Sequence, residues 1–199
     1  MKWRCSEPVI CCEENDANGG FHVFFLHLLR FWIMIAAEVI AMELLIRQRV
    51  FSWTDTYDVF DASGNAKYFV KGEFFSLGHK IHIYDKESGR ELGCVSQRLL
   101  TLLPTFDISV NGQVVGTVKK KFTFLTQDYL VDFRGWDVEG DFLGWDYRVT
   151  DGNREVMDIS KQWLSWGDTY TLTFCNPTDE LPGLLLVIAI DAANCDHND

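Results

Sequence analysis

The run Lys119-Lys120-Lys121 is the one basic cluster in the sequence that could hold an anion. Ammonium groups at a strand end suit a phosphate or the head group of an anionic lipid. Strand alternation puts two of the three on one face. The plainer reading is a solvated strand end, because Asp128 and Asp132 follow closely. A second group is Asp137, Glu139 and Asp141 in Trp136-Asp137-Val138-Glu139-Gly140-Asp141. Spaced two apart, these carboxylates share one strand face, and oxygen donors in that arrangement suit calcium. The segment lacks the ligand loop of an EF-hand, and acids on a wet strand face are the competing reading.

Other chemistry is thinly represented. His79 and His82 are three apart, so on a strand their imidazoles point to opposite faces and make no metal pair. The cysteines are Cys5, Cys11, Cys12, Cys94, Cys175 and Cys195, with no CxxC pair and no zinc-type spacing to histidine. Cys94 and Cys175 fall in strand-like text and read as small core residues. Cysteines used this way imply a reducing, cytoplasmic setting. No G-x-S-x-G elbow and no glycine-rich phosphate loop occur, and residues 42–199 hold three histidines, His79, His82 and His197. We therefore expect no catalytic residues, no cofactor and no enzyme activity.

A short phrase recurs along the chain. Arg49–Val59 reads RVFSWTDTYDV, Arg98–Ile108 reads RLLTLLPTFDI, and Gln162–Leu172 reads QWLSWGDTYTL. KKFTFLTQDYLV, from Lys120, matches with one extra residue before Tyr129. The outer copies share Trp53, Asp55 and Tyr57 with Trp166, Asp168 and Tyr170. The structural reading is a repeated strand–turn–strand unit, with the tryptophans as packing residues and the aspartates in turns. The functional reading is that Trp53 and Trp166 stack a ligand. The unequal spacing of the copies excludes a solenoid or propeller.

The elements that must position these groups are short strands. From Met42, runs such as KYFVKGEFF, HKIHIYD, ELGCVSQRL, TFDISV, YLVDF and TYTLTF are separated by turn signals at close spacing, which is the pattern of a sandwich or barrel. Asn111-Gly112 is the strongest hairpin signal among them. Alternation predicts that Ile81 and Ile83 share one face, and that Phe106, Ile108 and Val110 face a core. The text then changes in kind. After Pro182-Gly183, LLLVIAIDAANC is apolar at nearly every position and leaves no wet face, so it predicts a helix buried all round, residues 182–195. At 1.5 Å per residue it is shorter than a bilayer core of about 30 Å.

Of 199 residues, 47% are apolar and 14% aromatic, so a large core can form. The net charge is −11, and residues 42–199 carry 15 Lys and Arg against 24 Asp and Glu. That balance argues against nucleic acid as a partner and weakens any general attraction to anionic membranes. Residues 1–41 stand apart. Positions 21–41, FHVFFLHLLRFWIMIAAEVIA, are apolar enough for a membrane helix, yet Arg30 lies near the middle, which costs about 2.5–3.5 kcal/mol on insertion scales. Three readings stand open: an N-terminal anchor, an amphipathic surface helix, or an extension upstream of a chain that starts at Met42, which we favour.

MELLIRQR from Met42, then SWTDTYDVFD, LPTFDISVNG, VKKKFTF, WDVEGDF, ISKQWLSWGDTYTL and the terminal LLLVIAIDAANCD together resemble the bacterial members of the LURP-one-related family across residues 42–199. That family is similar to the tubby C-terminal domain and to phospholipid scramblases. The resemblance implies a mainly β fold, a closed antiparallel barrel of about twelve strands around a central apolar C-terminal helix. It implies no established catalytic residues. Tubby domains bind phosphoinositide head groups through basic residues, and scramblase relatives are membrane-linked and associated with calcium. The expected function is accordingly a non-enzymatic binding or scaffolding module, cytoplasmic or membrane-associated, with an anionic lipid as partner. The alternatives are a module for an unidentified protein partner without a lipid role, which the acidic charge favours, and a scramblase-like protein.

Overall fold

The computed structural model describes residues 42–47, 56–73, 78–121, 128–141, 144, 146–164 and 167–195. The chain divides into two compact units, Met1–Ile40 and Ala41–Asp199, and every described residue lies in the second. The described residues form twelve strands: β1 (Met42–Arg47), β2 (Thr56–Asp61), β3 (Ala66–Glu73), β4 (Lys80–Asp85), β5 (Glu91–Gln97), β6 (Thr105–Val110), β7 (Gln113–Lys120), β8 (Tyr129–Phe133), β9 (Asp137–Asp141), β10 (Asp146–Asp151), β11 (Arg154–Leu164) and β12 (Gly167–Phe174). A 3-10 turn (Pro177–Asp179) leads into helix α1 (Glu180–Cys195).

The strands form one antiparallel sheet in the order β8-β7-β6-β5-β4-β3-β2-β1-β12-β11-β10-β9. Pairing of β1 with β12, Met42 opposite Phe174, joins the first strand to the last and rolls the meander into a nearly closed barrel. β8 and β9 are the two ends of the ladder. Between them runs the turn Arg134-Gly135, both at positive φ, and Trp136 packs edge-on against Phe133 with ring centroids 5.5 Å apart. The predicted Asn111-Gly112 hairpin is a two-residue turn with both residues at positive φ, the type I′ geometry that matches strand twist.

Alternation places the core as expected. Ile81 and Ile83 of β4 and Phe106 and Ile108 of β6 are buried, while Val110 is half-buried. The repeated phrase also has a structural meaning. Its aromatic becomes an inward residue near the start of a strand: Tyr57 in β2, Phe106 in β6, Tyr129 in β8 and Tyr170 in β12, each buried and followed two positions later by Val59, Ile108, Val131 or Leu172. Tyr147 plays the same part in β10. These strands all enter from the barrel end opposite the start of α1. Trp53, Asp55 and Trp166 lie outside the described residues, as does the side chain of Asp168.

The helix is enclosed. Every residue from Gly183 to Ala193 is buried, which is what an apolar sequence without a wet face demands. It begins at Glu180, two residues earlier than the apolar run suggests. The Asn176 side chain accepts from the Thr178 backbone N–H and starts the 3-10 turn, which continues directly into α1. Pro182 is then the third helical residue, where its missing N–H needs no partner. Glu180 is buried at this helix N-terminus, accepts from the Tyr68 hydroxyl and pairs with Lys67 at 2.7 Å. Asp179 is likewise buried and pairs with Arg154 at 2.8 Å and Arg134 at 3.5 Å.

Gly183 sets how closely α1 approaches the wall. A Cβ there would lie 2.5 Å from Phe174 Cε1 and 2.6 Å from Met157 Sδ. Alanine improves helix propensity by about 1 kcal/mol, but overpacking costs about 1–3 kcal/mol. The expected result for Gly183→Ala is a net loss of about 1 kcal/mol, read as a lower denaturant midpoint with unchanged m-value.

Candidate membrane-contact surface

The loop between β5 and β6, residues 98–104, exposes the sequence Leu99-Leu100-Thr101-Leu102 at the barrel end where α1 finishes. Leu100 and Leu102 have relative exposures of 105% and 104%, and Leu99 is half exposed at 50%. The loop is held, not loose. The Arg98 backbone N–H donates to Thr105 O at 2.8 Å, and Thr101 Oγ1 donates to Arg98 O at 3.2 Å. Leu100 sits at φ 60°, an uncommon conformation for a side chain of this kind. Arg98 itself is committed to Asp107, reaching both carboxylate oxygens, with Nε at 3.2 Å. Asp107 in return holds the Arg98 guanidinium above its ordinary pKa.

This loop lies beside the lysine cluster. The Lys120 backbone N–H donates to Pro104 O at 3.0 Å, and Lys119 stands opposite Thr105 on one side and Leu130 on the other. Lys119 and Lys121 are exposed, as is Leu130. The three lysines therefore do not share one face. Alternation with Val118 turns Lys120 inward, where its side chain is buried at 7% exposure. This end of the barrel thus exposes Leu99, Leu100 and Leu102 in the loop and Leu130 on β8, with the exposed Lys119 between the β6 edge of the loop and Leu130. The sequence flagged the lysines but not the leucines. RLLTLLP read as part of a repeated phrase, and no local pattern shows that its apolar side chains face outward.

Lys120 instead joins a polar layer inside the same end of the barrel. It stands opposite Tyr129, whose hydroxyl bonds Asn194 of α1. Asp191 is buried there, and burial holds its carboxyl well above the usual carboxylate range. Burial, with Asp191 as the next cause, raises the Tyr147 phenol in turn. Asp191, the one acid in the apolar run, thus lies where α1 meets the polar end of the barrel.

The acidic trio lies elsewhere. Asp137, Glu139 and Asp141 are exposed on β9, an end strand of the ladder, opposite Thr150, Arg148 and Asp146 of β10. Asp141 Oδ1 accepts from the Gly144 N–H at 3.0 Å and so helps form the turn into β10. Charges on an end strand also discourage pairing with another sheet. Among the described residues these three do not converge as a metal-binding group. The cysteines differ from expectation too. Gly93 and Val95 face inward, so Cys94 faces the outside of the barrel, and Cys175 is exposed just after β12. Burial and then Glu91 push the Cys94 thiol up to about 11.

No helix among the described residues is long and apolar enough to cross a membrane. Comparison with known proteins agrees with this architecture. An uncharacterised Bacillus subtilis (strain 168) protein, YxjI, is 35% identical over 150 residues, covering 75% of this chain and 92% of its own. The X-ray structure of an Arabidopsis thaliana protein matches with a TM-score of 0.52 at 19% identity, over 75% of this chain and 90% of that one. That likeness shows the shared tubby-like barrel fold. The sequence profile of the LURP-one-related family matches residues 42–191, from the first strand to Asp191 of the enclosed helix, and the chain belongs to that family.

Proposed function

We propose that this barrel is a non-enzymatic module that binds membrane surfaces reversibly through these exposed leucines, with Lys119 and Lys121 meeting anionic head groups. The observation that carries this reading is the full exposure of Leu100 and Leu102 in a hydrogen-bonded loop directly beside two exposed lysines. Isolated exposed leucines are ordinary, but two fully exposed leucines two residues apart in one loop, with cations nearby, fit an interfacial contact. Burying two leucine side chains contributes about 3–6 kcal/mol. The lysines add attraction within a Debye length, against repulsion from the net −9 of residues 42–199. Binding of that strength is weak and reversible.

The test is flotation of residues 42–199, which include all twelve strands and α1, with neutral and anionic vesicles at low and physiological salt. Binding to anionic vesicles is expected, abolished by Leu100→Ser with Leu102→Ser and weakened about tenfold by Lys119→Glu with Lys121→Glu. Absence of binding under every condition overturns the lipid reading. The acidic balance then favours the second reading, in which the same leucines dock a protein.

A further inference from the structure

The outer face of β3, β4 and β5 carries a cluster that the lipid reading does not use. His82 lies on the outward side of β4, opposite Cys94 of β5. Glu91 would ordinarily share the inward side with Gly93 and Val95, since all three are spaced by two. A β-bulge intervenes: Ile83 pairs with Gly93 but Tyr84 pairs with Glu91, so one extra β5 residue is absorbed. Bulges of this kind re-aim side chains. Here the bulge brings Glu91 out onto the same face as Cys94. One donor atom each from His82, Glu91 and Cys94 then lies within 4.8 Å of the others.

We propose that His82, Glu91 and Cys94 form a binding site for a zinc-like divalent cation, with Glu73 orienting the imidazole. His82 has a carboxylate beside each ring nitrogen: Nδ1 is hydrogen-bonded to Glu91 Oε1 at 3.1 Å, and Nε2 lies 3.2 Å from Glu73 Oε1 without hydrogen-bond geometry. In this structure Nδ1–H donates to Glu91; for Nδ1 to ligate an ion, the imidazole proton moves to Nε2, beside Glu73. A carboxylate behind a histidine ligand is the usual device for fixing tautomer and ring angle. The Tyr84 ring, stacked at 6.1 Å and 26°, restrains the imidazole further.

The donor set selects the ion. One sulfur, one nitrogen and one oxygen suit zinc, whereas magnesium and calcium take oxygen donors. Tetrahedral zinc requires donors about 3.3–3.8 Å apart; Nδ1 and Glu91 Oε1 already lie 3.1 Å apart and all three donors lie within 4.8 Å of one another. Three protein ligands leave the fourth position to water. Uptake of the ion displaces the Cys94 thiol proton to solvent, and no redox change is involved.

The experiment uses the full chain with the other five cysteines changed to serine, titrated with cobalt(II) and then zinc. The expected result is one cobalt per chain with a thiolate-to-metal absorption band, displaced by zinc. Cys94→Ser removes the band, and His82→Ala weakens binding about a hundredfold or more. Glu73→Gln keeps the band at saturating cobalt but lowers affinity about 10–100-fold. Failure of the folded five-serine chain, checked by circular dichroism, to give the band overturns the site. A band that persists in Cys94→Ser overturns it equally.

Discussion

Replacing Leu185 with alanine is expected to lower the free energy of unfolding by about 3–5 kcal/mol, the range measured for fully buried leucines that leave a cavity. Leu185 is completely buried on α1 and packs directly on Gly93 of β5. A Cβ on Gly93 would lie 2.9 and 3.0 Å from the two Leu185 methyl carbons and 3.0 Å from the Ser109 carbonyl oxygen. Glycine is therefore required there so that the wall can touch the helix. At Leu185 the barrel has little freedom to collapse into a void, because β5 is held by ladder hydrogen bonds to β4 and β6 on both sides. That places the cost toward the upper part of the range. A total stability of about 5–15 kcal/mol makes this a large fraction.

The pair also offers a test of the enclosed-helix arrangement itself. Gly93→Ala alone overpacks the contact and is expected to destabilise by about 1–3 kcal/mol. In the Leu185→Ala background the methyl has room on the helix side, so its penalty shrinks. The Ser109 carbonyl remains in place, so the rescue is partial. Chemical denaturation of the four proteins in the cycle checks this, with a favourable coupling of about 1 kcal/mol expected. Strict additivity would show that α1 does not press on β5 at Gly93.

Why the fold could be read in the sequence, and the surface only in part, follows from what each signal depends on. Alternation in TFDISV and HKIHIYD and the all-apolar run after Gly183 are local consequences of burial, so they pointed to a barrel around a helix. The recurring phrase marked the aromatics Tyr57, Phe106, Tyr129 and Tyr170 that lie near the start of strands at one barrel end. Its meaning needed the topology, because only the up-and-down meander shows that these strands enter from the same side. Cys94 was misread because a strand-like context says nothing about which face a residue takes. Glu91 beside Cys94 could not be read at all, since a period of two assigns them to opposite faces and only the bulge reverses that. Lys120 shows the converse. Three adjacent lysines resemble one site, but the pleat divides them and sends the middle one inward.

Glu180 gives the second large effect. Its carboxylate is buried at the first residue of α1, accepts from the Tyr68 hydroxyl and pairs with Lys67 at 2.7 Å. It also sits at the positive end of the helix dipole. Glu180→Ala removes a charge-assisted hydrogen bond and leaves the buried Tyr68 oxygen without this acceptor, a combined loss of about 3 kcal/mol or more at neutral pH. Tyr68→Phe alone is expected to be milder, and the Tyr68–Glu180 cycle should give a coupling of about 1–3 kcal/mol. The same pair predicts an alkaline limit. Burial, then the Glu180 hydrogen bond and charge, push the Tyr68 phenol far above its ordinary value. A group that holds its proton more tightly when folded contributes fully below its unfolded pKa, near 10, and loses that contribution as pH rises beyond it. Tyr147 is raised by burial in the same direction. Stability should thus fall as pH climbs above about 10, and Tyr68→Phe should flatten the slope by up to one proton. Denaturant midpoints measured from pH 8 to 12 read this directly, and an unchanged slope in Tyr68→Phe would place the alkaline sensitivity elsewhere.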